Sequence, residues 1–135
     1  MYAMSYHVSY DGSLVLVELS GTLTREDLES VGDEIIAIER NGANTPHRLT
    51  DFRRITNTAV GYAEMSALAE RSRARPLDAQ IRSALVVEHP VQMGFARMFQ
   101  ILNEHPQVTV RIFDDEMAAR VWIATGLPND TEEHR

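Results

Sequence analysis

The stretch from Val108 to Ile123, VTVRIFDDEMAARVWI, decides the fold because it holds one complete strand and the start of one helix. Its first six residues are rich in β-branched and aromatic side chains, which favour an extended strand. The acidic run Asp114-Asp115-Glu116 follows, at a position where a helix macrodipole favours negative charge. We expect the next helix to begin there, with Met117, Val121 and Trp122 facing the core.

The same alternation of strand and helix extends back through the chain. At its beginning, alternating apolar residues around an Asp11-Gly12 turn predict a hairpin, and Gly21 is expected to end its second strand. The predicted strands are Tyr6–Tyr10, Leu14–Leu19, His47–Phe52, Ile81–Glu88 and Val108–Phe113. The predicted helices begin at Thr24, Tyr62, Val91 and Glu116, the first with a capping box formed by Thr24 and Asp27. Residues 53–61 are predicted to form a loop.

The resulting order is β-β-α-β-α-β-α-β-α. Strands separated by helices imply right-handed crossovers and parallel neighbours, whereas the opening hairpin requires one antiparallel strand. The sequence therefore predicts an α/β domain with a mixed, mostly parallel five-stranded sheet and about four helices. We expect residues 1–126 to form this single domain and residues 127–135 to form a polar C-terminal tail.

Composition excludes several classes of function. The 135 residues carry a net charge of −7, and this acidic balance argues against binding to nucleic acid. There is no cysteine, and all thirteen cationic residues are arginine, so a thiol nucleophile, a Schiff-base lysine and a P-loop lysine are excluded. Without a signal-peptide pattern or a long apolar run, we expect a cytoplasmic protein with no stable membrane insertion.

Three segments together resemble the SpoIIAA-like family, a branch of the STAS fold. They are Gly21-Thr22-Leu23-Thr24, the strand end Leu49-Thr50-Asp51-Phe52, and the closing stretch Val108–Ile123, and the resemblance spans Tyr6 to Gly126. It implies a regulatory domain. Among such domains, the anti-sigma-factor antagonists exchange partners through a phosphorylated serine beside a glycine, at the start of the helix after the third strand. Related branches are suggested to bind lipids or to serve as adaptors.

Aligned on Gly61, the phosphoacceptor position of this chain is Val60, which has no hydroxyl group. Thr58, two residues earlier, is the nearest hydroxyl and the candidate phosphosite. The resemblance therefore implies a partner-binding module without the matching phosphoserine. The candidate partner or ligand surface comprises Asp51, Arg53, Arg54, Thr56, Thr58, Gly61 and Tyr62.

Asp51 and the two threonines of this surface could have purely structural roles instead of binding roles. Asp51 lies near the carboxyl end of a strand, where α/β proteins place ligands, but a receiver-type aspartate also needs an acidic pair and a lysine. We therefore expect Asp51 to cap the following loop. Thr56 and Thr58 are expected to cap the next helix or to form a turn. In the alternative, a phosphate there would bind Arg53 and Arg54.

An apolar stripe supports a second hypothesis. Met93, Phe95, Met98 and Phe99 stand at helical spacing, which is more typical of a core than of a binding site. Phe95 and Met98 of this stripe, together with Met65 of the preceding predicted helix, are also the candidate lining of an apolar cleft that would bind a small amphiphile, with Arg53 or Arg54 at its rim.

The remaining residue patterns give little support for metal binding or catalysis. The five histidines have no close metal-ligand spacing and no G-x-S-x-G elbow occurs, so we expect no metal, no cofactor and no enzymatic activity. The middle of the chain is basic and the first helix is acidic, and these patches could pair in a homodimer. The basic residues are Arg53, Arg54, Arg71, Arg73, Arg75 and Arg82. The leading hypothesis is a non-catalytic regulatory or adaptor module that binds a protein partner; the alternative is a carrier or sensor for a small amphiphile or lipid.

Overall fold

The computed structural model describes residues 6–41, 47–73, 80–102 and 107–127. Its strands are β1 (Tyr6–Asp11), β2 (Leu14–Leu23), β3 (Arg48–Thr58), β4 (Ile81–Val86) and β5 (Val108–Phe113). Its helices are α1 (Arg25–Asn41), α2 (Tyr62–Arg73), α3 (Pro90–Leu102) and α4 (Glu116–Thr125). The predicted order of elements is confirmed. Most of the predicted C-terminal tail, residues 128–135, lies outside the described residues.

The five strands form one sheet in the order β1-β2-β3-β4-β5. β1 pairs with β2 antiparallel, and all other neighbouring pairs are parallel. The predicted mixed, mostly parallel sheet is therefore confirmed. Because the parallel strands share one direction, their carboxyl ends meet at the same edge of the domain, and each is followed there by a helix.

Two hydrophobic clusters lie on opposite faces of the sheet. Alternate residues of β2 show this, since Val15 and Val17 belong to one cluster while Leu14 and Leu16 pack against the other. Among the described residues, the first cluster includes side chains from α1, α2 and α3, and α4 is the helix that contributes to the second. The sheet is thus covered by three helices on one face and by one helix on the other.

The prediction that Gly21 ends β2 is wrong. The strand continues to Leu23, whose side chain is buried, and the pairing with β3 shifts register between Gly21 and Thr22. Gly21 has a φ of 72°, a left-handed conformation that glycine adopts without steric cost. The glycine therefore forms an irregularity inside the strand instead of ending it. The two residues between the hairpin strands are Gly12 and Ser13, one position later than predicted.

The predicted loop over residues 53–61 is also wrong. β3 extends to Thr58, and Phe52 and Ile55 are buried in the first cluster. The two arginines between them, Arg53 and Arg54, suggested a loop, but the strand stays paired with β2 and shifts register there, between Glu18 and Ser20, so both buried side chains reach the same cluster. The connection to α2 is therefore only residues 59–61, and Val60 within it is buried.

Beyond Asp51, β3 has no paired strand on the side where β4 lies. β4 pairs with β3 only as far as Asp51, so the backbone carbonyls of Arg53 and Ile55 need another donor. The side-chain amide of Gln92 donates to both, at 2.9 Å each. Its oxygen accepts from the backbone N–H groups of Glu88 and His89, at 2.8 and 3.1 Å. Gln92, only 1% exposed, thus joins the start of α3 to β3 where β4 ends.

The predicted core face of α4 is partly wrong. Trp122 is buried as expected, but Met117 and Val121 are exposed. Ala118, Ala119 and Ile123 are buried in their place, so the apolar stripe is rotated by about one residue. The predicted acidic start is confirmed, because the Asp115 side chain caps the helix by accepting from the N–H of Ala118.

We predict that Gln92→Leu lowers the free energy of unfolding by about 2–4 kcal/mol, because two buried carbonyls and two N–H groups lose their partner. Urea denaturation followed by circular dichroism measures this difference. Gln100→Leu is the matched control, since the Gln100 amide donates to one carbonyl only, that of Val110. A loss no larger than that of the control would contradict the role given to Gln92.

Candidate functional site

Five charged side chains form a continuous chain of alternating sign, called here the Arg53 network. The Arg53 guanidinium binds both oxygens of Asp51, with Nε–Oδ1 at 2.9 Å and Nη2–Oδ2 at 3.0 Å. The same Nη2 donates to Glu116 Oε1 at 2.7 Å. Arg120 then joins Glu116 to Asp11, at 2.9 Å in each contact. The network therefore ties β3 to the first turn of α4 and to the β1–β2 hairpin.

The network favours the ionised form of two of its carboxylates, Asp51 and Glu116. Partial burial pushes the pKa of Asp51 upward, but hydrogen bonds from the Arg53 side chain and backbone, and the nearby charges of Arg53 and Arg54, lower it below its usual value. Hydrogen bonds from Arg120 and then Arg53 lower the pKa of Glu116. The hydrogen bond to Asp51 is the largest cause of a raised pKa for Arg53.

This geometry changes the roles predicted for Asp51 and Arg53. Asp51 was expected to cap a following loop, but β3 continues past it, and its carboxylate accepts instead from the Arg53 backbone N–H at 2.9 Å and from the Arg53 guanidinium. Arg53 is engaged on two sides by carboxylates, so its charge is already compensated. Arg54, the next residue, is exposed and is the cation of this pair that faces solvent.

Four of the predicted residues, together with Asn57, lie at the carboxyl edge of the sheet, and this group is called here the β3–α2 surface. Its members are exposed side chains or backbone at the end of β3 and the start of α2: Arg54, Thr56, Asn57, Gly61 and Tyr62. Tyr62 is 66% exposed, a large fraction for an aromatic side chain. The predicted surface is thus divided between an internal ion-pair network and an exposed group that ends on an aromatic ring.

The two threonines do not cap α2 as expected. Gly61 is the residue at the helix start, where its carbonyl accepts from the N–H of Met65 at 3.1 Å and its N–H donates to Glu64 Oε1 at 3.0 Å. Thr56 and Thr58 lie inside β3, three to five residues before Gly61. The Thr56 side chain is exposed, whereas that of Thr58 is half-buried.

The residues of the predicted apolar cleft lie in the core. Met65 and Phe95 are both buried in the first hydrophobic cluster, and Met98 packs against it. The Phe95 ring lies 5.6 Å from that of Phe52, centroid to centroid. These side chains therefore have the packing role that their helical spacing also predicted, and no contact among them favours the amphiphile hypothesis.

Other candidate features can be placed as well. The side chains of Arg71 and Arg73, and all of Arg75, lie outside the described residues, so the predicted pairing of basic and acidic patches stays a prediction. The Arg82 guanidinium donates to the backbone carbonyl of Ile123 at 2.8 Å, and the Arg82 N–H donates to His47 Nδ1. Within the described ranges, no three His, Asp or Glu side chains are grouped to hold a metal ion. No helix of the described chain is long and apolar enough to cross a membrane.

Sequence reasoning missed three residues that shape this site. Glu116 was considered only as part of an acidic helix start and Arg120 was not considered, although their spacing of four on a helix is a recognisable ion-pair signal. Their link to Arg53 joins positions 63 residues apart and has no local signature. Gln92 was also missed; its only signal is a polar residue beside the apolar stripe at the start of α3.

We predict that Asp51→Asn lowers the free energy of unfolding at neutral pH by about 1–2 kcal/mol, because Arg53 loses its two-oxygen partner. The Asp51 carboxylate has a lowered pKa in the folded state, so it contributes stability above its unfolded pKa, and this stability is lost as the pH falls through the folded pKa. The variant should therefore lose less stability than wild type between about pH 5 and pH 3. Urea denaturation at several pH values measures both effects.

Asp114→Asn is the control, since it removes an exposed carboxylate outside the network. If Asp51→Asn and Asp114→Asn have the same stability and the same pH dependence, the network has no stabilising role.

The fold is similar to that of two solved structures, although no protein-family model and no curated protein matches the chain. One is an uncharacterized DUF3478-family protein with a SpoIIAA-like fold from Shewanella loihica PV-4. It has a TM-score of 0.57 and 16% identity, covering 87% of this chain and 91% of that one. The other is the Bacillus cell fate determinant SpoIIAA in its phosphorylated form, with a TM-score of 0.51 and 19% identity, covering 86% and 98%. The chain therefore has a SpoIIAA-like, STAS-related fold, as the sequence predicted.

Proposed function

We propose that the protein is a non-catalytic regulatory or adaptor module that binds a protein partner through the β3–α2 surface. The observation that carries this proposal is the exposure of Tyr62 at the start of α2, at the same end of the sheet as the exposed Arg54. Tyrosine and arginine are the residue types that most often supply binding energy in protein interfaces. A large aromatic ring left in water at this edge is best explained by a partner that covers it.

The scaffold beneath this surface is rigid, which supports the proposal. The Arg53 network fixes the backbone just before Arg54, and Gln92 fixes the carbonyls of Arg53 and Ile55. A preformed surface loses less conformational entropy when a partner binds. The charge that a partner meets is that of Arg54, because Arg53 is compensated internally, so we expect the partner to present an acidic group.

The experiment compares tagged wild-type protein with the double variant Arg54→Glu/Tyr62→Ala in pull-downs from lysate of the source cells. We expect a stoichiometric partner with wild type and roughly a tenfold loss with the variant, as for removal of an interface anchor. Met117→Ala is the control, because Met117 is equally exposed but lies on α4. A partner retained by the double variant, or lost equally in the control, would place binding elsewhere.

We further propose that Thr58, the half-buried last residue of β3 beside this surface, is a phosphosite. The Bacillus protein of similar fold is described in a phosphorylated form, and Val60 cannot accept a phosphoryl group. Thr58 is the last serine or threonine before α2, and a helix N-terminus favours a negative charge.

If Thr58 is modified, protein purified from the source cells will show the added mass of one phosphoryl group, and Thr58→Val will lack it. Intact-mass spectrometry makes this measurement, and Thr56→Val is the matched control because it should keep the modification. An unmodified wild-type protein, or a modification that moves with Thr56 instead, would contradict the assignment.

A further inference from the structure

β1 is an edge strand whose outer side has no neighbouring strand in the described chain. The two-residue hairpin loop leaves Asp11 and Leu14 as its closing pair, and such a pair exchanges both backbone hydrogen bonds. Because hydrogen-bonded and non-hydrogen-bonded pairs alternate along an antiparallel ladder, the N–H and C=O groups of Tyr6, Val8 and Tyr10 point away from β2. This outer side therefore presents a row of donors and acceptors for another strand.

Within the described residues, the β1 edge lacks the features by which proteins protect exposed edges. Residues 6–10 contain no proline, glycine, lysine or carboxylate, and the β1–β2 pairing has no register shift. The opposite edge of the sheet differs, because the Gln100 side chain of α3 donates to the Val110 carbonyl of β5 at 2.8 Å. The β1 edge is thus flat and uncharged from Tyr6 to Tyr10, a template for strand addition.

The sequence of this edge is self-complementary. Tyr6-His7-Val8-Ser9-Tyr10 is nearly symmetric about Val8, with tyrosine at both ends and small or hydrogen-bonding polar residues between. An antiparallel pair of two such strands centred on Val8 would set tyrosine against tyrosine, valine against valine and histidine against serine. Aromatic and polar cross-strand pairs of this kind stabilise antiparallel sheets.

We propose that the β1 edge pairs with the β1 edge of a second copy of this chain, antiparallel about Val8, to form a symmetric dimer with one continuous ten-stranded sheet. The twofold symmetry follows from the geometry, because the same edge serves both copies. A strand from an unrelated protein would also fit the backbone groups, but it would not account for the symmetric sequence.

The proposed pairing also explains Tyr10. This residue is 59% exposed, although its neighbours Tyr6 and Val8 on the same face of β1 pack against the core. Interaction with Glu34 of α1 raises the pKa of the Tyr6 hydroxyl. In the dimer, Tyr10 of each copy lies opposite the ordered Tyr6 of the other and is covered by it. Since the contact is one strand wide, the dimer is expected to be weak and to dissociate on dilution.

The first test measures the solution mass by sedimentation equilibrium from low micromolar to hundreds of micromolar. Wild type is expected to shift from monomer to dimer over this range. His7→Lys/Ser9→Lys sets lysine against lysine at two places in the pairing, so this variant should stay monomeric. Thr109→Lys adds a lysine at an exposed position of the other edge strand, β5, and this variant should dimerise as wild type does.

The second test determines the register of the proposed β1–β1 pairing. Because the chain has no cysteine, single-cysteine variants give an unambiguous crosslink. Two Val8 residues would face each other at a Cα separation of about 5.5 Å, within the range of a disulfide, so Val8→Cys should crosslink rapidly under mild oxidation. Two Ser9 residues would lie diagonally at about 7–8 Å, so Ser9→Cys should crosslink no faster than chance collision allows.

Three results would overturn the proposal. The first is a wild-type protein that is monomeric at hundreds of micromolar. The second is a dimer that persists unchanged in the lysine double variant while circular dichroism shows the native fold. The third is a Val8→Cys crosslinking rate no higher than that of Ser9→Cys.

Discussion

The architecture depends on one constraint, the need to satisfy the backbone of β3 beyond the point where β4 ends. Past Asp51 this strand has a neighbour strand on one side only, yet its carbonyls there lie inside the protein. Leaving such groups without partners costs about 1–3 kcal/mol each. Gln92 removes this cost because its side-chain amide donates the two hydrogen bonds that a neighbouring strand would otherwise supply. The position of α3 and the course of β3 towards α2 both follow from this substitution.

The Arg53 network holds α4 in place on the other face of the sheet. α4 is the only helix of the described chain in the second hydrophobic cluster, so its placement rests on a small apolar contact and on these ion pairs. Asp51 is well shielded, with 17% of its side chain exposed, while Arg53 and Glu116 are more accessible. Pairs of such exposure contribute modestly to stability, and their main effect is on orientation. Compensating Arg53 internally also leaves Arg54 to define the charge of the β3–α2 surface.

The elements that sequence patterns predicted well are those whose periodicity is set by burial. The strands β4 and β5 and the capping box of Thr24 and Asp27 were predictable because each depends on neighbouring residues. β3 was predicted too short, since its polar residues are stabilised by Gln92 and by α4, which lie far along the chain. For the same reason the sequence could not divide the candidate surface: nothing local distinguishes Arg53, which is bound by Glu116, from Arg54, which is not.

The β3–α2 surface and the β1 edge are compatible with one another because β2 lies between β3 and β1 in the sheet. A dimer formed through β1 would use backbone groups at the side of the sheet, whereas Tyr62 stands at the carboxyl end of the parallel strands. Each copy would therefore keep its own exposed Tyr62. Two such surfaces on one rigid sheet can engage a two-site partner with an effective concentration far above that of separate monomers. A weak, dilution-sensitive dimer of this kind would make partner binding depend on the cellular concentration of the protein itself.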